Sequence, residues 1–271
     1  MSQSKSANPS QNVQDLFQSA VDTGAISDDT LGVIQTLDYG VDIQNALGNI
    51  DADSFKGSEV FLGTVVIDDS SSIRFVAGNT EAVREGHNQM VAALDGTKQK
   101  KDILLHARTL NRGIVYAYCS IADVILLNTH NYNPDGGTPL YDVMLATLAS
   151  VVAKTQDFED QGLTVRTQTF AVTDGADCGS RSEASDVAKL VRDMLRAEKH
   201  IIGGMGIDDG TTDFRSVFRS MGIPDNQILT PKNSPSEIRK AWAMKSKSMV
   251  RASQNAGSFS KVALGGFGSN P

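Results

Sequence analysis

An α/β protein is what this sequence predicts: a doubly wound, mostly parallel, Rossmann-like sheet with one antiparallel edge strand and helices on both faces. Three observations carry the prediction. Residues 60–67, VFLGTVVI, form a continuous apolar run, the mark of a strand buried on both faces. Strand signals of this kind alternate with segments of helical periodicity, as in sheets built from strand–helix–strand units. Two strand signals, 103–110 and 114–119, flank the turn Asn111-Arg112-Gly113 and read as a hairpin, which supplies the antiparallel edge.

In chain order, residues 1–11 are rich in Ser, Asn and Gln and are expected to be disordered. Residues 12–58 read as a helical extension. Val13, Leu16, Phe17, Ala20 and Val21 lie on one helical stripe. Ser27-Asp28-Asp29-Thr30 offers N-cap residues for a second helix carrying Leu31, Ile34 and Leu37. Such short helices do not persist alone, so they are expected to dock on the larger part. The polar stretch 51–58 reads as a linker. Asp51 and Asp53 resemble the start of a calcium loop, but no Gly at the sixth position and no Glu at the twelfth complete it.

The main domain is expected over 59–252. After the first strand come a helix over 80–94, the hairpin, and a helix from Pro139 to about Thr155, with proline at its first turn. A strand over 163–173, a helix over 184–198 and a strand opening at His200-Ile201-Ile202-Gly203 follow. A helix over 213–221, a short strand at Ile228-Leu229 and a helix from Ser234 to about Arg251 close the domain. Residues 253–271 hold few apolar anchors and are expected to form a flexible Gly/Ser-rich tail.

Composition narrows the function classes. With 25 Lys and Arg against 32 Asp and Glu, the net charge of −7 argues against nucleic acid or an anionic membrane surface as partner. No apolar stretch reaches membrane-spanning length, and the polar first residues lack the apolar core of a secretory signal, so a cytoplasmic location is expected. Two cysteines, Cys119 and Cys178, make no disulfide framework, which fits a reducing compartment.

In doubly wound sheets, ligands bind in loops at the carboxyl ends of the strands. Three loops there carry oxygen donors. The first strand ends in Ile67-Asp68-Asp69-Ser70-Ser71-Ser72. Asp135-Gly136-Gly137-Thr138-Pro139 opens the 139–155 helix, and the strand over 163–173 ends in Thr173-Asp174-Gly175. Taken singly, each reads equally well as an N-cap or turn cluster. Taken together, two carboxylates and three hydroxyls without Cys or His make a hard oxygen set, suited to Mg²⁺ or Mn²⁺ and ill suited to zinc.

Asp68-x-Ser70-x-Ser72, Gly136-Gly137-Thr138-Pro139-Leu140 and Thr173-Asp174-Gly175 together resemble the metal-ion-dependent adhesion site of von Willebrand factor type A domains, of the intracellular prokaryotic type. The order matches, as do the spacings of 138 − 72 = 66 and 174 − 138 = 36 residues. Residues 201–207, IIGGMGI, resemble the Gly-rich end of that family's next strand, and the likeness covers roughly 59–252. One position departs: many members carry glycine where this chain has Ser71. The resemblance implies that Ser70, Ser72 and Thr138 bind the cation through hydroxyls, with Asp68 and Asp174 acting mainly through water. Its implied role is cation-dependent protein recognition, in which a partner's Asp or Glu carboxylate completes the ion's shell. It implies an adaptor or assembly component without catalysis; intracellular prokaryotic members often serve MoxR-type AAA+ ATPases.

Other motifs weigh less. Gly204-x-Gly206-x-x-x-Gly210 misses the dinucleotide spacing by one residue and falls late in the sheet. A phosphoaspartyl phosphatase of the haloacid dehalogenase type would use Asp68 as nucleophile and Asp208-Asp209 for Mg²⁺, yet Ser70 stands where that chemistry needs a second Asp. His87, His106, His130 and His200 share no metal spacing. No Walker A sequence occurs, so an associated ATPase is a separate chain. Between Lys232 and Arg251, six basic residues face one Glu, 6 − 1 = +5, leaving −12 elsewhere. Ile238, Ala241, Trp242, Lys245 and Met249 mark that helix's packing face, and its basic back reads as solvated or as a dock for an acidic surface.

Overall fold

The apolar run at 60–67 becomes the middle of the sheet. A computed structural model describes residues 12–254 and 256–268, and in it β1 (Glu59–Ile67) pairs in parallel with β2 (Ile103–Thr109) on one side and β4 (Thr164–Thr173) on the other. β3 (Gly113–Ser120) is antiparallel to β2, and its register shifts between Leu105 and Arg108. β5 (His200–Gly206) and the short β6 (Ile228–Leu229) extend the parallel side, giving the order β3-β2-β1-β4-β5-β6. The predicted α/β sheet with a single antiparallel edge is therefore the observed one. Every residue of β1 after Glu59 is buried, as a strand covered on both faces requires.

One face is covered by α1 (Val13–Asp22), α2 (Asp28–Gln35), α3 (Gly40–Ala46), α5 (Leu140–Asp160), α6 (Ala184–Arg196) and α7 (Phe214–Ser220). Phe17, Ile43, Leu148, Val187 and Phe218 pack there with Val66, Ala171 and Ile202 of the sheet. The other face is covered by α4 (Asn79–Asp95), α8 (Pro235–Gln254) and α9 (Ala256–Gly265). There Met90, Trp242 and Phe259 meet Val65, Phe170 and Met205. Alternation of side chains along each strand sends neighbours to opposite layers, as Val65 and Val66 show.

The short N-terminal helices are capped and tied down. Asn12 and Ser27 cap α1 and α2 through their side chains. Asp193 of α6 accepts hydrogen bonds from the Ser27 backbone at 2.8 Å and from the Ser27 and Thr30 hydroxyls at 2.6 Å each. Asp42 of α3 pairs with the buried Arg108 of β2 at 2.5 Å.

Boundaries differ from the expected ones where packing decides. α5 runs past Thr155 to Asp160, anchored by the buried Phe158. α6 stops at Arg196 because Glu198 takes a left-handed conformation, φ 55°. β5 continues through its glycines to Gly206. A Cβ on Gly204 would lie 2.5 Å from Phe218, and one on Gly206 2.1 Å from Phe214, so these glycines let α7 sit against the strand. Where composition gave no reason for a packed element after residue 252, α8 continues to Gln254 and α9 follows, with Phe259 and Val262 buried. The expectations for 1–11 and 269–271 lie outside the described residues.

The α4–α8 contact depends on one missing methyl group. A Cβ on Gly86 would lie 2.2 Å from Trp242 Cγ, and Trp242 is fully buried. Gly86→Ala gains helix propensity of about 1 kcal/mol but forces the two helices apart. We expect a net destabilisation of about 1–3 kcal/mol, read as a lowered midpoint in urea.

Candidate metal centre

Parallel pairing of β1 with β4 sets Ile67 opposite Val172, so the two strands deliver Asp68 and Thr173-Asp174 to the same edge of the sheet. Asp68 is fully buried. Its Oδ1 accepts from the Ser70 backbone N–H at 2.7 Å; its Oδ2 accepts from the Thr173 hydroxyl at 2.7 Å and the Asp174 N–H at 3.3 Å. The carboxylate thus folds the 68–72 loop back on itself and joins it to the end of β4. Asp174 Oδ1 in turn accepts from Ser72 Oγ at 2.7 Å and Ser70 Oγ at 3.3 Å, and the two serine oxygens are 3.0 Å apart.

Thr138 arrives from the loop before α5. Its carbonyl accepts from the Cys178 N–H at 2.8 Å, so the loops 135–139 and 174–183 meet in an isolated β-bridge. A Cβ placed on Gly175 would lie 3.3 Å from Thr138 Oγ1, which puts that hydroxyl against the Asp174-Gly175 turn. Gly136, at φ 137°, makes the reversal that brings Thr138 round. Four of the five sequence-predicted residues, Asp68, Ser70, Ser72 and Asp174, therefore form one directly bonded oxygen cluster, with Thr138 beside it.

A surrounding layer that sequence reasoning missed fixes these loops. Asp69 is buried and accepts from the Asn111 N–H at 2.8 Å and Nδ2 at 2.9 Å, tying the β2–β3 turn to the 68–72 loop. The fully buried Tyr132 donates its hydroxyl to the Asp68 carbonyl at 2.7 Å. Asp142, in the first turn of α5, accepts from the Arg181 N–H at 3.0 Å and the Ser182 N–H at 2.8 Å. Asp177 Oδ1 accepts from the Tyr141 N–H at 3.0 Å and the Ser180 hydroxyl at 2.5 Å. The only sequence signal for this clamp is acidic and hydroxyl residues near a helix start.

Electrostatics gives the cluster a need. Burial raises the pKa of Asp68, opposed by its hydrogen bonds from Ser70 and Thr173. Burial and then the charge of Asp68 push Asp174 up from 3.8 to about 6. The largest influences on the two carboxylates are burial, neighbouring hydroxyl and backbone donors and, for Asp174, the charge of Asp68, with no cationic side chain among them. Two buried carboxylates with neutral hydroxyl neighbours suit a small, hard, oxygen-seeking cation, which would relieve both shifts. Among the described residues no three His, Cys, Asp or Glu side chains form a metal-holding group, so a thiolate or imidazole centre is not offered.

The competing motifs have other employment. Asp208 accepts from the Gly210 N–H, and Asp209 from the Thr211 and Thr212 N–H groups and the Thr212 hydroxyl, so both close their own turn. Gly204 and Gly206 make room for phenylalanines. Burial lowers His87 to about 4 and both His106 and His200 to about 3, leaving neutral packing groups. Cys119 is pushed up to about 11 by burial, and Cys178 is exposed.

No protein-family model matches the chain, and no curated protein matches it. Solved structures do. A pilus adhesin, SpaC from Lactobacillus rhamnosus GG in an open conformation, superposes with a TM-score of 0.53 at 10% identity, over 75% of this chain and 31% of that one. Proximal thread matrix protein 1 from the mussel byssus gives 0.49 at 18% identity, over 74% of this chain and 48% of that one. A form of it described as having a zinc-occupied MIDAS motif gives 0.46 at 15% identity, over 73% and 46%. The chain spans under half the length of each. The adhesin likeness is one of fold, the mostly parallel α/β sheet described above.

Proposed function

We propose that this chain is a von Willebrand factor A-type recognition module that binds Mg²⁺ or Mn²⁺ through Asp68, Ser70, Ser72, Thr138 and Asp174. One observation carries the reading: two buried carboxylates and the serine hydroxyls hydrogen-bond into a single cluster at adjacent strand ends, with Thr138 packed against it. The bound cation would supply an electrophilic coordination position for an oxygen ligand from outside. Because hydroxyls provide the direct contacts, the ion keeps most of its charge for that ligand. An Asp or Glu carboxylate of a protein partner is the natural complement. Residues 59–252 carry this module, and the docked helices of 12–58 and α9 belong to its support.

No described helix is long and apolar enough to cross a membrane. We place the protein in the cytoplasm as an adaptor or assembly component, with a MoxR-type AAA+ ATPase as the partner class the resemblance implies. Catalysis is not part of the reading. Asp68 has both oxygens engaged by neighbouring donors and no exposed surface for attack on a phosphate. A generic aryl phosphate assay checks this: turnover abolished by Asp68→Ala would replace recognition with phosphatase chemistry.

The direct test is capture. Immobilised protein should retain a carboxylate-bearing partner from its own host's extract with Mg²⁺ present and release it with chelator, and Thr138→Ala should lose retention while keeping its melting temperature. Retention indifferent to both chelator and Thr138→Ala overturns the reading.

A further inference from the structure

Asp69 is a third buried carboxylate beside the metal centre, and the protein leaves it half satisfied. It is fully buried. Its Oδ1 accepts from the Asn111 N–H at 2.8 Å and from Asn111 Nδ2 at 2.9 Å. Its Oδ2 is closed to solvent and, among the described residues, has no donor. No ion pair reaches Asp69 among those residues; Arg74, five positions on, pairs instead with Asp135 at 3.5 Å. A buried carboxylate held only by neutral amide donors is costly unless something offsets its charge. An uncharged side chain could accept the same two hydrogen bonds without that cost.

The position of Asp69 gives the charge a use. It lies between Asp68 and Ser70 in the chain. Burial, then the charges of Asp68, Asp69 and Asp174, hold the Tyr132 hydroxyl well above its ordinary 10.0. The three carboxylates therefore act on one enclosed region. Because Oδ2 is shut off from solvent, Asp69 is assigned no contact with the ion and acts through its field. That field attracts a cation in proportion to the cation's charge, and salt screens it little in a buried site.

We propose that Asp69 sets the valence preference of the metal centre, favouring multivalent over monovalent cations without touching them. The inference rests on the metal-binding reading given above. Asp69 is also a tether, because Asn111 Nδ2 donates onward to the Gly137 carbonyl at 2.9 Å, next to Thr138. Losing a tether and losing a charge differ in one respect. Only the second scales with the charge of the ion.

Ca²⁺ and Tb³⁺ have similar radii and different charges, so they separate the two. Each is titrated into the full chain, with binding that persists in Asp68→Asn subtracted as background. Asp69→Asn should weaken Ca²⁺ about tenfold and Tb³⁺ about thirtyfold, the logarithmic losses following the ion charges. Asn111→Ala, which cuts the tether and keeps the charge, should weaken both ions by one common factor. Where Asp69→Asn lowers the melting temperature, Asp69→Ser replaces it. Unchanged affinities in the Asp69 variant, or equal losses for the two ions, overturn the proposal and leave the metal centre standing. A valence-dependent loss in Asn111→Ala overturns it too. Wild-type protein that binds neither ion above background removes the metal centre itself, and this proposal with it.

Discussion

Asp68→Asn should abolish the heat of Mg²⁺ binding in a calorimetric titration while leaving the protein folded. The substitution removes one of two buried carboxylates at nearly constant shape and retains an oxygen for the Ser70 N–H. It also removes the charge that, after burial, does most to raise Asp174. The metal-free variant is expected to stay folded at neutral pH, the relief of Asp174 offsetting the acceptor lost to the Thr173 hydroxyl and the Asp174 N–H. Equal Mg²⁺ affinity in wild type and variant would sink the site assignment.

The same pair predicts a pH dependence with a definite sign. Asp174 has a folded pKa raised from 3.8 to about 6. The metal-free native state therefore binds more protons than the unfolded chain between those values. Its contribution is fully present below pH 3.8 and is lost as pH rises through about 6. The loss is up to about 3 kcal/mol, less to the extent that solvent reaches the cluster. A cation competes with that proton, so Mg²⁺ affinity should fall about tenfold per pH unit below pH 6. At a concentration a hundred times its dissociation constant, Mg²⁺ stabilises by about 2.7 kcal/mol. The Mg²⁺-induced rise in melting temperature should then be several degrees at pH 7.5 and about half as large at pH 5. A rise independent of pH would place the binding elsewhere.

Much of the architecture was legible because continuous apolar runs such as 60–67 have few other places to go than a doubly covered sheet. The order of the three oxygen-bearing loops was legible because each follows a strand or opens a helix. Long-range partners left no such trace. Nothing near Asp142 announces that it will accept from backbone N–H groups 39 and 40 residues away. The Asp69–Asn111 contact likewise spans a helix and a strand, α4 and β2. α9 escaped because its Ser- and Gly-rich composition gives a weak period. Two anchors, Phe259 and Val262, and carbonyl bonds from Asn226 and Gln227 to Leu264 and Val262 hold it.

Lys245 shows the limit most sharply. Helical spacing put it on the packing face of α8 beside Ala241 and Met249, although its charge suggests solvent. The spacing decides: Lys245 is fully buried, its Nζ 3.5 Å from the Phe170 ring centroid and, among the described residues, without a hydrogen-bond partner. Burial holds its pKa well below the ordinary 10.5, and His87, on which its charge acts, is itself buried and neutral. A buried amine satisfied only by an aromatic face recovers little of its lost hydration.

Lys245→Met should therefore stabilise the protein, by about 1–4 kcal/mol at neutral pH, the range found when buried ionic groups give way to apolar ones of similar volume. The sign of the pH effect follows from the lowered pKa. Above pH 10.5 the amine is neutral in both folded and unfolded chains, and burial carries no proton-linked cost. As pH falls, the unfolded chain takes up a proton that the native state refuses, so wild-type stability declines. The methionine variant lacks that slope. Urea unfolding at pH 7 and pH 10 should show the stabilisation largest at pH 7 and shrinking toward pH 10. A variant equal to or weaker than wild type at pH 7 would mean that the Phe170 contact outweighs desolvation.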